Sequence, residues 1–481
     1  MSNSDQYEQS AVINEPVNWS KMLADANMGN EEAMVVVADA YFYGDGVEEN
    51  HEQAFKWYQK ASKLHSDNGY VWKKLGDCYY VGYGVEMDRV KSADFYEKAW
   101  DNGNKTVTSV LGIIYKIYKG DYANSFKWFE RGAELGNPND LYFTGFYCLE
   151  GLGTPKNEKR AIESLERAAA LNNVNAIRCL LMHNYFGDES KYEKTMQKLI
   201  KMAADGDNEA QFTLGNYYQY GFDIDETGKR WNINFAHNPQ FAEHWYKLAA
   251  EQGNSRALLE LGEKYIDKDS GFTYDLEKGE QYLIEAANSG MSSAASALHS
   301  LYKYELYDEQ KALYWAEYLV VRQNMESLAF DVAEAYYNGE GTNKNLSKAA
   351  EFYNIAAIYY TDRLYGKPND DFSDTRMNAD YFPCAKSSLL CSLDEPEKYN
   401  IAFYCLQCAL KAASVNREVL LDMKVPEMHY WLAYMFDNGL GTEQNVRAAY
   451  EEYNISAQMG YEKAGDELRH FKKTMFGVKR V

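Results

Sequence analysis

Gly44-Asp45-Gly46-Val47, followed by Ala54-Phe55-Lys56-Trp57-Tyr58-Gln59-Lys60-Ala61, is a phrase that recurs along the chain. It returns as Gly82-Tyr83-Gly84-Val85 with Phe95-Tyr96-Glu97-Lys98-Ala99. Its glycine pair returns again at Gly151-Leu152-Gly153, Gly339-Glu340-Gly341 and Gly439-Leu440-Gly441. Self-similarity at a period of ~35–40 residues marks a stacked repeat array, in which no unit buries its apolar face alone. Ahead of the first pair, Val37, Ala38 and Tyr41 stand three to four residues apart, which predicts a helix A over 32–43. Gly44 ends it, because glycine enters the left-handed region cheaply. Ala54, Trp57, Tyr58 and Ala61 form the apolar stripe of a helix B over 52–63. Second turns at Gly103-Asn104, Gly136-Asn137, Gly206-Asp207, Gly253-Asn254 and Gly460 lead from each helix B to the next helix A. The small residues before them, such as Ala133, Ala203, Ala249 and Ala286, let the two helices approach closely.

These signals predict an all-α solenoid of roughly eleven antiparallel helix-turn-helix units, each packed mainly on its neighbours. The array is expected over 17–460, after a flexible segment 1–16 and before a capping helix (462–471) and a basic tail within 461–481. Trp19, Met22, Leu23 and Ala26 read as a lone helix B that caps the start. Lys472, Lys473, Lys479 and Arg480 make up the tail. The rhythm fails in three places. Residues 222–240 and 267–275 lengthen turns, and 361–394 is irregular, with Gly366 and Pro368 marking a loop at its start.

The two halves of the phrase are similar to a Sel1-like repeat. Leu75-Gly76-x-x-Tyr79-x-x-Gly82-x-Gly84-Val85 resembles its first half, and Ala54-x-x-Trp57-Tyr58-x-Lys60-Ala61 its second. Leu214-Gly215-x-x-Tyr218-x-x-Gly221 and Trp245-Tyr246-x-x-Ala249-Ala250-x-x-Gly253 repeat the pair. Tyr118-Lys119-Gly120-Asp121 lacks the second glycine, and the units around 182–191 and 302–310 lack the pair altogether. The resemblance implies a right-handed superhelix related to tetratricopeptide arrays. It implies adaptor, scaffold, regulator or inhibitor roles and supplies no catalytic residues.

The formal net charge of −22 disfavours nucleic acid and anionic membranes and favours cationic partners. No apolar run approaches the ~18 residues of a membrane span, and the opening residues lack the basic-then-apolar pattern of a secretory signal. The 7 cysteines are odd in number and fit no disulfide framework, so a reducing cytoplasm is expected.

Residues that could carry chemistry read as structure instead. The glycine pairs follow helices and not strands, unlike a dinucleotide fingerprint. Cys405-x-x-Cys408 lies in an apolar helix, so with Cys384 and Cys391 it is expected to pack and not to bind zinc. Asp223-Ile224-Asp225-Glu226-Thr227-Gly228 opens like a calcium loop, but Asn234 stands where a bidentate Glu is needed. No catalytic, cofactor or metal residue is therefore expected.

Helix A lines the inner groove of helical-hairpin arrays. Its non-core positions here include Asp39, Phe42, Tyr43, Asp77, Tyr80, Asn216, Tyr217, Tyr220 and Glu334. Tyrosine is enriched at interface hot spots and acids steer cations, so these nine residues are the expected partner-binding groove. The sequence thus predicts a non-enzymatic protein–protein interaction scaffold, adaptor or regulator that binds a peptide or a basic protein surface. One alternative is an immunity or inhibitor protein against a basic toxin. Another is an enzyme-activating subunit with a site near 361–394, where Asp370, Asp371 and Asp374 cluster.

Overall fold

The computed structural model describes residues 19–64, 67–183, 188–224, 230–232, 236–364, 375–391, 396–415, 425–474 and 477–480. They form an all-α fold divided into two compact units, 1–252 and 253–481. The first unit opens with the single helix Trp19–Asn27. Helix A/helix B hairpins follow: Glu31–Tyr43/His51–Leu64, Gly69–Val81/Arg89–Asp101, Thr108–Ile117/Tyr122–Glu134, Pro138–Glu150/Glu158–Ala170, Val174–Met182/Glu189–Ala204 and Asn208–Tyr220/Pro239–Glu251. The second unit holds Ser255–Ile266/Leu276–Asn288, Ser292–Ser300/Glu309–Gln323, Ala329–Asn338/Leu346–Leu364, Thr375–Leu390/Pro396–Val415 and Val425–Asn438/Val446–Gln458. It closes with Glu462–Leu468.

Local chemistry sets these boundaries. Asn30, Asn68, Asp88, Asn157 and Asn445 each accept a hydrogen bond from a backbone N–H of the first turn that follows, satisfying donors the helix leaves open. At the other end, Gly82 adopts φ 93° and its N–H closes on the Cys78 carbonyl, a conformation that costs a residue with a side chain.

The second glycine of the pair does different work. A Cβ at Gly84 would stand 2.1 Å from the His51 carbonyl oxygen, at the start of the preceding helix B. The same approach recurs at Gly153 on Tyr122, Gly341 on Glu309 and Gly441 on Tyr399. The first glycine turns the chain within a hairpin, and the second lets the turn seat on the neighbouring hairpin.

Within hairpins, a large helix B residue fills a notch on helix A. A Cβ at Gly76 would meet the Tyr96 ring at 2.7 Å, one at Gly112 the Phe129 ring at 2.4 Å, and one at Gly215 the Tyr246 ring at 2.5 Å. Tyr58, Phe129, Tyr246, Tyr353 and Tyr453 are all fully buried or nearly so, each contributing on the order of 1.5–3 kcal/mol by burial.

The irregular stretches have structure of their own. Phe222–Ile224 and Arg230–Asn232 pair as antiparallel strands within the first long turn. The stretch expected as irregular over 361–394 contains the helix Thr375–Leu390. Its buried residues Phe382, Ala385 and Leu389 recur at helical spacing, although Pro383 lies inside it. Asp370, Asp371 and Asp374, and most of the calcium-like segment, lie outside the described residues. The capping helix ends at Leu468, before the expected boundary, because Phe471–Thr474 and Gly477–Arg480 fold back as an antiparallel pair. Phe471 packs there against Tyr450 and Tyr453.

Candidate functional site

A polar column runs down helix A beside the buried helix B aromatics. In the first hairpin Tyr58 Oη donates to Asp39 at 2.5 Å, and in the next Tyr96 Oη donates to Asp77 at 2.9 Å. Tyr353 donates to Glu334 in the same way, again from nineteen residues further along. Tyr246 donates to Asn216 at 2.8 Å across the longer turn. Where helix B carries Phe129 or Leu165 in this seat, the residue after the helix A glycine is apolar: Ile113 or Phe146. In these hairpins the acceptor accompanies the buried hydroxyl.

A second set of bonds ties successive hairpins together. Tyr115 donates to Glu97 at 2.5 Å, Tyr336 donates to Glu317 at 2.6 Å, and Lys348 reaches the same Glu317 at 2.7 Å. Glu97 and Glu317 are thus engaged between hairpins.

In the first unit, Asp39, Phe42, Tyr43 and Asp77 gather on two successive A helices around Lys74, a residue the sequence analysis did not single out. Lys74 is 6% exposed. Its Nζ donates to Tyr43 Oη at 2.5 Å and lies 4.7 Å from the ring centroids of both Phe42 and Tyr43. Tyr70, also missed, donates to Asp39 at 2.9 Å. Burial pushes the Asp39 carboxyl upward, against the pull of the Tyr58 and Tyr70 hydrogen bonds and the Lys74 charge. Asp77 is paired with Lys73 at 3.0 Å.

Tyr43 remains 61% exposed. Tyr80 is half-buried beside Tyr118, with Arg89 over its ring. Asn216 and Tyr220 are half-buried on the separate helix Asn208–Tyr220. Tyr217 departs from the expected groove: it is 0% exposed, because it points into the packed interior of its hairpin, out of a partner's reach.

Glu334, in the second unit, also departs from the expected groove: it is 8% exposed, because Tyr353 and Lys386 hold its carboxylate inside a denser cluster. Lys386 Nζ lies 2.6 Å from Glu334 Oε1 and 2.6 Å from Glu427 Oε1, and its side chain is 2% exposed. Trp431 Nε1 donates to Glu427 at 3.2 Å. The Tyr337 ring lies 5.5 Å from Lys386 Nζ on one side and 5.5 Å from Lys463 Nζ on another. Tyr430, next to Trp431 and Tyr461, has its hydroxyl pushed up to about 12, by burial first and then by the nearby Glu467 carboxylate. Lys386 escaped the sequence analysis because no glycine pair flags its helix. Only its place nineteen residues before Cys405, in the register of the other hairpins, signals it.

Two carboxylates around one buried ammonium form a charge lock and not an acid–base pair awaiting substrate. Among the described residues, no three His, Cys, Asp or Glu side chains converge as a metal site. Cys384, Cys405 and Cys408 are buried among apolar neighbours, and among the described residues no helix is long and apolar enough to cross a membrane.

The chain is 25% identical over 248 residues to the chitin synthase regulator SKT5 of Saccharomyces cerevisiae, covering 48% of this chain and 34% of that protein. It is 29% identical over 194 residues to the DAP3-binding cell death enhancer 1 of Rattus norvegicus, covering 39% of this chain and 35% of that one. The chain thus spans about a third of the length of the curated relatives it matches. Among solved structures it is similar to a protective antigen of uropathogenic Escherichia coli that displays an SLR fold. The TM-score is 0.40 and the identity 21%, over 94% of this chain and 90% of that one. The Sel1 repeat pattern matches residues 31–66, 74–104, 112–137, 139–173, 208–254, 255–291, 328–358 and 426–461. These segments make up more than half of the sequence and coincide with the helical hairpins, so the chain belongs to the Sel1 repeat family.

Proposed function

We propose that this protein is a non-enzymatic scaffold or regulator that binds a basic peptide or protein surface on its helix A face. Sel1 repeat proteins generally mediate protein–protein interaction, and the chain's net charge of −22 draws cationic partners. The observation that carries the reading is the cluster of Asp39, Phe42, Tyr43 and Asp77 on adjacent A helices, with the Tyr43 ring 61% exposed. An exposed aromatic ring beside carboxylates suits a lysine or arginine side chain, which can stack on the ring while its charge faces the acids. Tyr80, half-buried on the next helix A with Arg89 over its ring, extends the same chemistry.

Affinity capture with the tagged chain, followed by calorimetric titration of the recovered protein, tests this. The reading predicts one defined partner whose binding weakens steadily as salt rises and weakens at least about tenfold in Tyr43→Ala, which is about 1.4 kcal/mol. Salt-insensitive binding, or binding indifferent to Tyr43→Ala and Tyr80→Ala together, would overturn it.

A further inference from the structure

The last hairpin breaks the rule that pairs each helix B tyrosine with a helix A acceptor. Tyr453 holds the helix B seat and is 0% exposed, but nineteen residues before it stands Tyr434 in place of Asp or Glu. The Tyr453 hydroxyl has no hydrogen-bond partner among the described residues. It lies instead in the field of Glu467, Tyr430, Asp437 and Arg480.

Asp437 is the second anomaly: its side chain is 0% exposed, both its carboxylate oxygens lack a well-aligned hydrogen bond among the described residues, and Arg480 approaches it as an ion pair, Nη1 to Oδ2 at 2.6 Å. Arg480 Nη2 also approaches Glu467 at 3.5 Å. A carboxylate buried this deeply is strongly unfavourable without a cation. The cation comes from the Phe471–Arg480 hairpin, which carries Lys472, Lys473, Lys479 and Arg480 and no acid. Its Phe471 ring packs 5.8 Å from Tyr453 and 5.9 Å from Tyr450, with the Arg480 guanidinium 6.0 Å from Phe471. Arginine and ring enter the socket as a pair.

We propose that Asp437, Glu467 and Tyr453 form an arginine socket, that the Phe471–Arg480 hairpin occupies it as a built-in ligand, and that a partner protein takes its place with a basic segment presenting an arginine beside an aromatic ring. The occupant's chemistry is read from the strap itself: one planar fork spanning two carboxylates, one ring on a tyrosine floor, and positive charge matched to an acidic protein. Because the strap is tethered, it competes at an effective concentration on the order of millimolar. The socket is therefore largely closed until a better ligand arrives. It is a separate surface from the cluster around Tyr43, and it stands whether or not that cluster binds a partner.

The probe is a fluorescein-labelled peptide with the sequence of residues 471–480, titrated by anisotropy against the full chain. In Phe471→Ala/Arg480→Ala both anchors of the strap are gone, and the peptide is expected to bind at least about tenfold tighter than to wild type, since it no longer meets a tethered competitor. Adding Asp437→Asn should abolish that gain, and adding Glu467→Gln should reduce it severalfold. The second variant keeps the test decisive if the first perturbs folding. Asp77→Asn should leave the gain intact. Equal binding by wild type and the strap variant, or a gain that survives both Asp437→Asn and Glu467→Gln, would overturn the socket. A concentration-dependent dimer of the wild-type chain that Arg480→Ala abolishes would overturn the partner assignment, making the occupant a second copy.

Discussion

Lys74 and Lys386 are both buried lysines on A helices, and the chain neutralises them by opposite means. Around Lys74 the ammonium is boxed by the rings of Phe42, Tyr43 and Tyr70, and the Tyr43 hydroxyl accepts its hydrogen bond at 2.5 Å. Around Lys386 two carboxylates close to 2.6 Å and the rings stand further off, at 5.5 and 6.0 Å. An aromatic box is polarisable and keeps one wall, Tyr43, at the surface. A carboxylate clamp is dry and complete. The first arrangement suits a surface that exchanges partners, and the second suits a fixed joint linking three successive A helices.

Removing the ammonium should separate the two most strongly. Lys386→Met strands two buried carboxylates and should cost about 3–5 kcal/mol. Hydrogen exchange should read this as loss of amide protection in Ala329–Asn338 and Val425–Asn438. Lys74→Met leaves rings that pack well against a thioether and should cost about 2 kcal/mol or less. Equal losses at the two sites would erase the distinction. In the triple variant Glu334→Gln/Lys386→Met/Glu427→Gln, most of the protection should return, because no charge is left unpaired.

A smaller effect probes the tyrosine column. Tyr96→Phe removes a donor to the Asp77 carboxylate and should cost about 1–2 kcal/mol. Tyr453→Phe removes a hydroxyl with no hydrogen-bond partner among the described residues and should cost nothing measurable or stabilise slightly. Urea midpoints of the two variants against wild type decide this, and a Tyr453→Phe loss as large as that of Tyr96→Phe would contradict the pairing rule.

The smallest effect is in pH. Burial raises the Asp39 carboxyl above its unfolded value, so the folded state binds its proton more tightly than the unfolded chain does. That contribution is fully present below the unfolded value near 3.8 and is lost as pH rises through the raised folded value. Stability relative to Asp39→Asn should therefore fall for wild type as pH climbs through that window. A difference that stays flat or grows would show that the Tyr58 and Tyr70 bonds outweigh burial.

The hairpins were legible because their signals are local. Gly44 and Gly82 end helices by their own backbone conformation, and the Ala54–Trp57–Tyr58–Ala61 stripe declares its face within one turn. The proposed binding face was legible only in part. Asp39, Tyr43 and Asp77 follow from helix geometry, but their partners Lys74 and Tyr70 come from the next repeat, and which helix A residues turn inward depends on that packing. Tyr217 shows the limit, since one helical step places it in the core. Lys386 was hidden because its helix carries Pro383 and lacks the glycine pair. The Phe471–Arg480 strap was hidden because its anchor Asp437 lies more than thirty residues upstream in sequence, beyond any local pattern.

In the proposed function, partners meet the helix A face at Tyr43 and the neighbouring Tyr80. Site-specific photo-crosslinking tests it directly, with a benzophenone side chain placed at Tyr43, at Tyr80 and, on the outer face of helix B, at the exposed Lys56. The protein recovered by affinity capture should be cross-linked from positions 43 and 80 and not from 56. Capture from 56 with none from 43 or 80 would contradict it.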